Sequence, residues 1–176
     1  MDLKEKKLAS KEIYKGRIIN LYVDDVLLPS GKESKREVVR HCKASAVLAI
    51  NDKDEVILER QYRYPYDEVL TEIPAGKCDK DEDPLDTAKR ELEEETGYQA
   101  KELTYLGKIY PTCAYTDEVI YIYLAKDLVK TKQHLDEGES LDYAFVPMKK
   151  LLEDIEKGLV PDAKTLAAVA FYQNRK

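Results

Sequence analysis

Three observations predict an α+β fold, with a mixed sheet and helices packed over it. Apolar runs of strand chemistry fill most of the first 73 residues and recur between residues 101 and 147. One helix, bounded by Asp83-Pro84 and Gly97, interrupts them, and two more helix patterns close the chain. A length of 176 residues with 43% apolar side chains suits one domain with a sizeable core.

Residues 11–41, KEIYKGRIINLYVDDVLLPSGKESKREVVRH, have strand chemistry around a turn at Pro29 to Gly31. ASAVLAI, from Ala44, is a short apolar run of the kind that forms a buried strand. After the turn NDKD comes the strand EVILERQYR, and EVLTEI is an extended piece leading to Pro74. KELTYLGKIY, EVIYIYLAKDL and LDYAFVP are further strands. In the second of these, Val119, Tyr121 and Tyr123 alternate with Ile120, Ile122 and Leu124. MKKLLEDIEKG is a helix closed by Gly158, and DAKTLAAVAFYQ is one opened by Pro161-Asp162. In the central helix Asp83 caps open N–H groups, Pro84 fits the first helical position and Gly97 is the stop. Leu85, Ala88 and Leu92 share its core-facing side.

The net charge of -6 argues against a nucleic-acid partner but not against an anionic substrate, since a metal ion reverses the local sign. Cys42, Cys78 and Cys113 form no metal-ligand pattern, and their odd number argues against a disulfide framework. MDLKEKKLAS lacks the apolar stretch of a signal peptide, and no run reaches membrane-spanning length. A cytoplasmic protein with no membrane partner is the expectation. His41 and His134 are the only histidines, which argues against a histidine metal site or a Ser-His-Asp triad.

The central helix carries Glu91, Glu93, Glu94 and Glu95, with Glu82 just before it. Glu91 and Glu95 are four apart and Glu91 and Glu94 three apart, so these three lie within roughly a 100° arc. Like charges so placed repel unless solvent, a basic partner or a cation compensates. Arg90 can reach Glu94, and carboxylates converging in this way suit a hard cation such as Mg²⁺. An isolated ELEEE would ordinarily be a solvated helix face, and Glu93 is read as one.

Gly76, five residues, Glu82, seven residues, then Arg90-Glu91-Leu92-Glu93-Glu94-Glu95-Thr96-Gly97-Tyr98 resembles the full Nudix box, with every fixed residue in place. The resemblance implies a Nudix-type α/β/α sandwich and hydrolysis of a nucleoside diphosphate linked to another group. It makes Glu91 and Glu95 the central metal ligands, with Glu94 beside them and the Ala75 carbonyl as a further ligand. Arg90 would orient the carboxylates and Glu82 would be an outer ligand or support. Two or three Mg²⁺ ions, or Mn²⁺ in their place, would offset the charge of the pyrophosphate.

The flanks resemble the ADP-ribose pyrophosphatase branch of that family. ERQYRYP followed by TEIPAGK aligns Arg63 with an arginine near the nucleotide, where it could stack on a base or fork onto phosphate. YPTCAYTDEVIYIYLA resembles the segment after the box, with Glu118 touching the adenosine side or shaping a dimer. Cys113 and Ala114 stand where that branch usually has proline and glycine, which leaves the hydrolase reading intact and loosens the substrate. Cys113 also reads as an inert, buried small hydrophobe. HLDEGESLDYAFVP resembles the acidic catalytic loop, with Glu139 as base and Glu137 as its neighbour. Roles could be exchanged among Glu91, Glu137 and Glu139. Residues 1–42 resemble the strand region that the branch exchanges across a two-fold dimer, ahead of a hydrolase domain at 43–176. Tyr14, Arg17, Arg36 and Arg40 are candidates for a site completed by the partner chain. The expected substrate is ADP-ribose, split to AMP and ribose 5-phosphate. The alternative is another nucleoside diphosphate sugar. A Nudix fold kept as a regulatory binding module would not need the metal constellation.

Overall fold

The computed structural model describes residues 2–138 and 140–175. They divide into two compact units, residues 1–42 with 110–118, and residues 43–109 with 119–176.

The first unit is a three-stranded antiparallel sheet in the order β1-β2-β3, formed by β1 (Lys6–Lys15), β2 (Asn20–Leu27) and β3 (Glu33–Arg40). Gly31, at positive φ, supplies the turn between β2 and β3. The edge strand β1 is exposed along its whole length. Asp24 is buried in this unit and accepts from the Ser10 hydroxyl at 2.5 Å.

The second unit is built on β4 (Ala44–Ala49), β5 (Glu55–Arg63), β6 (Glu68–Glu72), β7 (Ala75–Lys77), β8 (Tyr98–Ile109), β9 (Ile120–Lys130) and β10 (Leu141–Pro147). Its helices are α1 (Pro84–Thr96), α2 (Met148–Glu156) and α3 (Ala163–Gln173). One sheet has the order β7-β4-β9-β8 and is mixed, with β4 parallel to β9 and antiparallel to β7. The other, β10-β5-β6, is antiparallel. The short strand β7 is absent from the sequence reading, because three residues of Ala-Gly-Lys carry no apolar periodicity. It exists because β4 offers a free edge to it.

The side-chain alternation of β4 explains the layering. Ala44, Ala46, Leu48 and Ile50 pack with Ile122, Leu151, Ala168 and Val169 on the side of α2 and α3. Val47 and Ala49 pack with Ala88, Leu92, Tyr123 and Ala125 on the side of α1. Both faces are therefore covered, which gives the expected sandwich of helices about a sheet. The same covering makes the alternation in β9 one between two buried faces. Asp83 accepts from the Leu85 N–H at 2.8 Å at the start of α1, and Gly97 ends it at φ 65°. The Asp83 cap contributes about 1 kcal/mol. Cys78 is buried, whereas Cys42 and Cys113 are exposed. The buried reading of Cys113 is thus corrected: it lies in the exposed part, 113–115, of the 111–115 turn.

Candidate active site

Helix α1 and strand β7 together build the acidic centre. Ser45 of β4 pairs with Gly76 of β7, and the Ser45 hydroxyl donates to the Pro84 carbonyl at 2.6 Å, which ties the strand edge to the helix start. Glu95, buried in the last turn of α1, accepts from the Ala75 N–H at 2.9 Å. Glu91 lies so close to Gly76 that a Cβ added there would fall 1.9 Å from its carboxylate carbon. Gly76 is needed because its missing side chain is the cradle of the Glu91 carboxylate. Ala75, Gly76, Glu91 and Glu95 therefore meet as a group.

Arg90 organises the remaining acids. Its Nη1 donates to Glu91 at 2.8 Å and to Glu94 at 2.9 Å. Its Nε and Nη2 fork onto Glu82, both at 3.1 Å, and Nη2 also donates to the Lys77 carbonyl. The hydrogen bonds from Arg90 hold the Glu82 carboxyl down to about 2 against the penalty of burial, helped by the Asp79 N–H and the Thr87 hydroxyl. Arg90 is in turn raised above its ordinary range, first by its bonds to Glu82. Glu93 accepts from the Gln99 amide at 2.9 Å and takes no part in the Arg90 network.

Among the described residues, no three carboxylate, imidazole or thiolate groups are gathered as a ready cation cage. Glu91 and Glu94 are held by Arg90, and Glu95 by the Ala75 N–H. The donor set nonetheless fits a hard divalent ion: carboxylates and a peptide segment, packed against a glycine that leaves room for them.

A second charged group adjoins β5 and β6. The Arg63 guanidinium forks onto the buried Glu72 through Nε at 2.7 Å and Nη2 at 2.6 Å. Glu72 also accepts from the buried Lys164, which bonds Asp162 at 2.9 Å. Burial opposes ionisation of Glu72, but the bonds from Arg63 and the nearby Lys164 charge outweigh it, so its carboxyl lies below the ordinary value.

Glu137 is exposed in the turn before Gly138, and Glu139 lies outside the described residues. The base of this loop is anchored to the end of α1. The Thr131 and His134 N–H groups donate to the carbonyls of Gly97 and Glu94, and the Gln133 amide donates to that of Glu95 at 2.6 Å. Tyr14, Arg17, Arg36, Arg40 and Glu118 belong to the first unit. There Arg36 pairs with Glu5, Arg40 with Asp117 and Asp24, and Glu118 faces His41 at 3.5 Å. Tyr14 is exposed on β1.

Residues 39–169 match the family profile described as the NUDIX domain. The chain belongs to the Nudix family. Residues 5–39 match the nucleoside diphosphate sugar hydrolase N-terminal domain. The chain is 44% identical to an ADP-ribose pyrophosphatase of Bacillus subtilis (strain 168), over 97% of this chain and 94% of that one. It is 42% identical to a methanol dehydrogenase activator of Bacillus methanolicus, over 96% and 92%. A crystal structure of an ADP compounds hydrolase shares the fold, with a TM-score of 0.88 at 24% identity over 99% of this chain and 95% of that one. The protein is a Nudix hydrolase, and the box residues described above lie on β7, α1 and the connection between them, with Gly97 at the end of α1.

Glu72 and Lys164 escaped the sequence reading of this Nudix hydrolase, and Asp162 was read there only as the opening of a helix. One signal was available for Lys164. A lysine in the first turn of a helix opposes the helix dipole, so its presence there calls for an acidic partner. Glu72 and Lys164 are 92 positions apart, and only the tertiary fold pairs them.

Proposed function

We propose that this Nudix hydrolase cleaves the pyrophosphate bond of ADP-ribose in an Mg²⁺-dependent reaction, yielding AMP and ribose 5-phosphate. The observation that carries the reading is the meeting of Glu91 and Glu95 with the Ala75–Gly76 backbone, in the unit that also presents Arg63. Glu91, Glu95 and the Ala75 carbonyl would hold two or three divalent ions, with Glu94 beside them and Glu82 as support. Bound there, such ions offset phosphate charge and acidify water. Arg90 fixes the rotamers of Glu82, Glu91 and Glu94 by hydrogen bonding. Arg63, a half-exposed guanidinium, supplies a cation for the diphosphate or a flat face for the base. Glu139, with Glu137 as its neighbour, takes the proton of the attacking water as its oxygen bonds phosphorus and the bridging P–O bond breaks.

Residues 1–42 would form the dimerisation region of a two-fold homodimer, and residues 43–176 the hydrolase domain. The exposure of β1, with Leu8, Ile13 and Tyr14 open to solvent, supports this arrangement. Tyr14, Arg17, Arg36, Arg40 and Glu118 would then help to build the partner's nucleotide site. Relatives of 44% and 42% identity carry different names, so the substrate assignment rests on the residues of this chain. Cys113 and Ala114 favour a second reading, a different nucleoside diphosphate sugar. The test is turnover of ADP-ribose and UDP- and GDP-linked sugars, with and without Mg²⁺, with the products identified. AMP and ribose 5-phosphate from ADP-ribose, at the highest kcat/KM of the set, is the expected result. Preference for a UDP or GDP sugar selects the second reading.

A further inference from the structure

Glu72 is almost fully buried, yet two cations bind it: Arg63 by a fork and Lys164 from the first turn of α3. A single arginine would suffice to neutralise one carboxylate. Asp162, the N-cap of α3, holds Lys164 in place while accepting from the Thr165 N–H and hydroxyl. Thr165 in turn accepts from the Ile73 N–H, next to Glu72, at 2.9 Å. Lys164 is itself buried, so its charge serves this cluster and not the solvent.

We infer that Lys164 is a positioning residue for substrate binding: it keeps Glu72 neutralised, so that the Arg63 guanidinium can be given over to an anionic diphosphate. The inference rests on the reading of Arg63 as a substrate contact. Nη1 of Arg63 stands outside the fork to Glu72, and the side chain is 39% exposed against 4% for its partner. Two of the three guanidinium nitrogens thus face the buried carboxylate while the side chain as a whole stays partly open to solvent. Turning it to a phosphate would strip a buried carboxylate of its partner, a change that is costly when no second cation remains. With Lys164 in place Glu72 stays paired. Without it, Glu72 either keeps Arg63 to itself or, if the arginine turns to the phosphate, is left as an uncompensated negative charge beside the diphosphate.

The test is calorimetric titration with α,β-methylene ADP-ribose, a ligand that is bound and not hydrolysed, on the full chain with Mg²⁺ present. K164M should weaken binding about tenfold or more, since it leaves Arg63 as the one cation for the buried Glu72, and that arginine can then no longer be released to the diphosphate. K164R, which keeps the charge, should bind within about threefold of the unsubstituted protein. Neutralising Glu72 as well should restore binding, so E72Q/K164M should bind several-fold tighter than K164M. A merely structural lysine would make the double variant no better than the single. Affinity of K164M within twofold of the unsubstituted protein, or no recovery in E72Q/K164M, overturns the inference. If K164M does not fold, E72Q and E72Q/K164M carry the comparison: equal affinities support the coupling, and a tenfold loss overturns it. R63M separates the two levels. Normal binding by R63M removes the reading of Arg63 and the inference with it. Weak binding by R63M with normal binding by K164M removes the inference alone.

Discussion

Replacing Gly76 by alanine should leave the fold intact and disable the enzyme. Gly76 is not one of the positive-φ glycines, so its backbone accepts an alanine. The new methyl would lie 1.9 Å from the Glu91 carboxylate carbon and one carboxylate oxygen, and 2.3 Å from the other oxygen. An ordinary contact begins near 3.4 Å, so the carboxylate must retreat by about 1.5 Å. Retreat is easy for the end of a flexible side chain, and alanine lowers the entropy of the unfolded chain by about 0.4–1 kcal/mol. Net stability should therefore change by less than about 1 kcal/mol. The chemistry is less forgiving. A misplacement of about 1 Å in a catalytic constellation costs about 100-fold in rate, so a loss of at least ~100-fold, or ~2.7 kcal/mol, is expected. Thermal melting reads the first quantity, and kcat with calorimetric Mn²⁺ titration reads the second. Turnover and metal affinity matching those of the unsubstituted protein would refute the view that Gly76 is a cradle for Glu91. A collapse of Tm would show that Gly76 serves the fold instead.

Glu95→Gln should keep an oxygen for the Ala75 N–H and hold Tm nearly constant, while turnover falls by about 100-fold or more through loss of a carboxylate ligand; Glu93→Gln, whose amide can still meet Gln99, should retain turnover, and steady-state assays of the pair decide it. Glu139→Gln should slow the chemical step in pre-steady-state measurements by about 100-fold with substrate affinity unchanged, and an unchanged rate removes Glu139 from the mechanism. Glu72 has a depressed carboxyl pKa in the folded protein, so the stability it contributes is fully present above the ordinary value near 4.5 and is lost as pH falls through the folded one. Melting curves of the unsubstituted protein and E72Q should accordingly converge on acidification below about 4.5, and a constant gap would contradict the linkage. A mixed dimer, one chain lacking Arg17, Arg36 and Arg40 and the other carrying Glu95→Gln, should retain about one active site of two, because one site collects both defects. Sedimentation of a fully active monomer would end the shared-site proposal.

The central helix was fully legible in the chain. Asp83, Pro84 and Gly97 set its ends by local backbone chemistry, and the spacing of Ala88 and Leu92 set its buried side. The apolar runs also placed β4, β5, β9 and β10, because a short stretch of apolar and β-branched residues bounded by turns is itself a local signal. The box spacing named the acids and implied their chemistry. What the acids bind was decided elsewhere. β7 forms only where the edge of β4 is available, and only then do Ala75 and Gly76 come against Glu95 and Glu91. The cluster of Arg63, Glu72, Asp162 and Lys164 joins β5, β6 and α3 across about 100 positions of chain. Periodicity describes which side of an element is apolar. It carries no information about which buried charge on one element will meet its counter-charge on another, since that pairing depends on how the packed layers align.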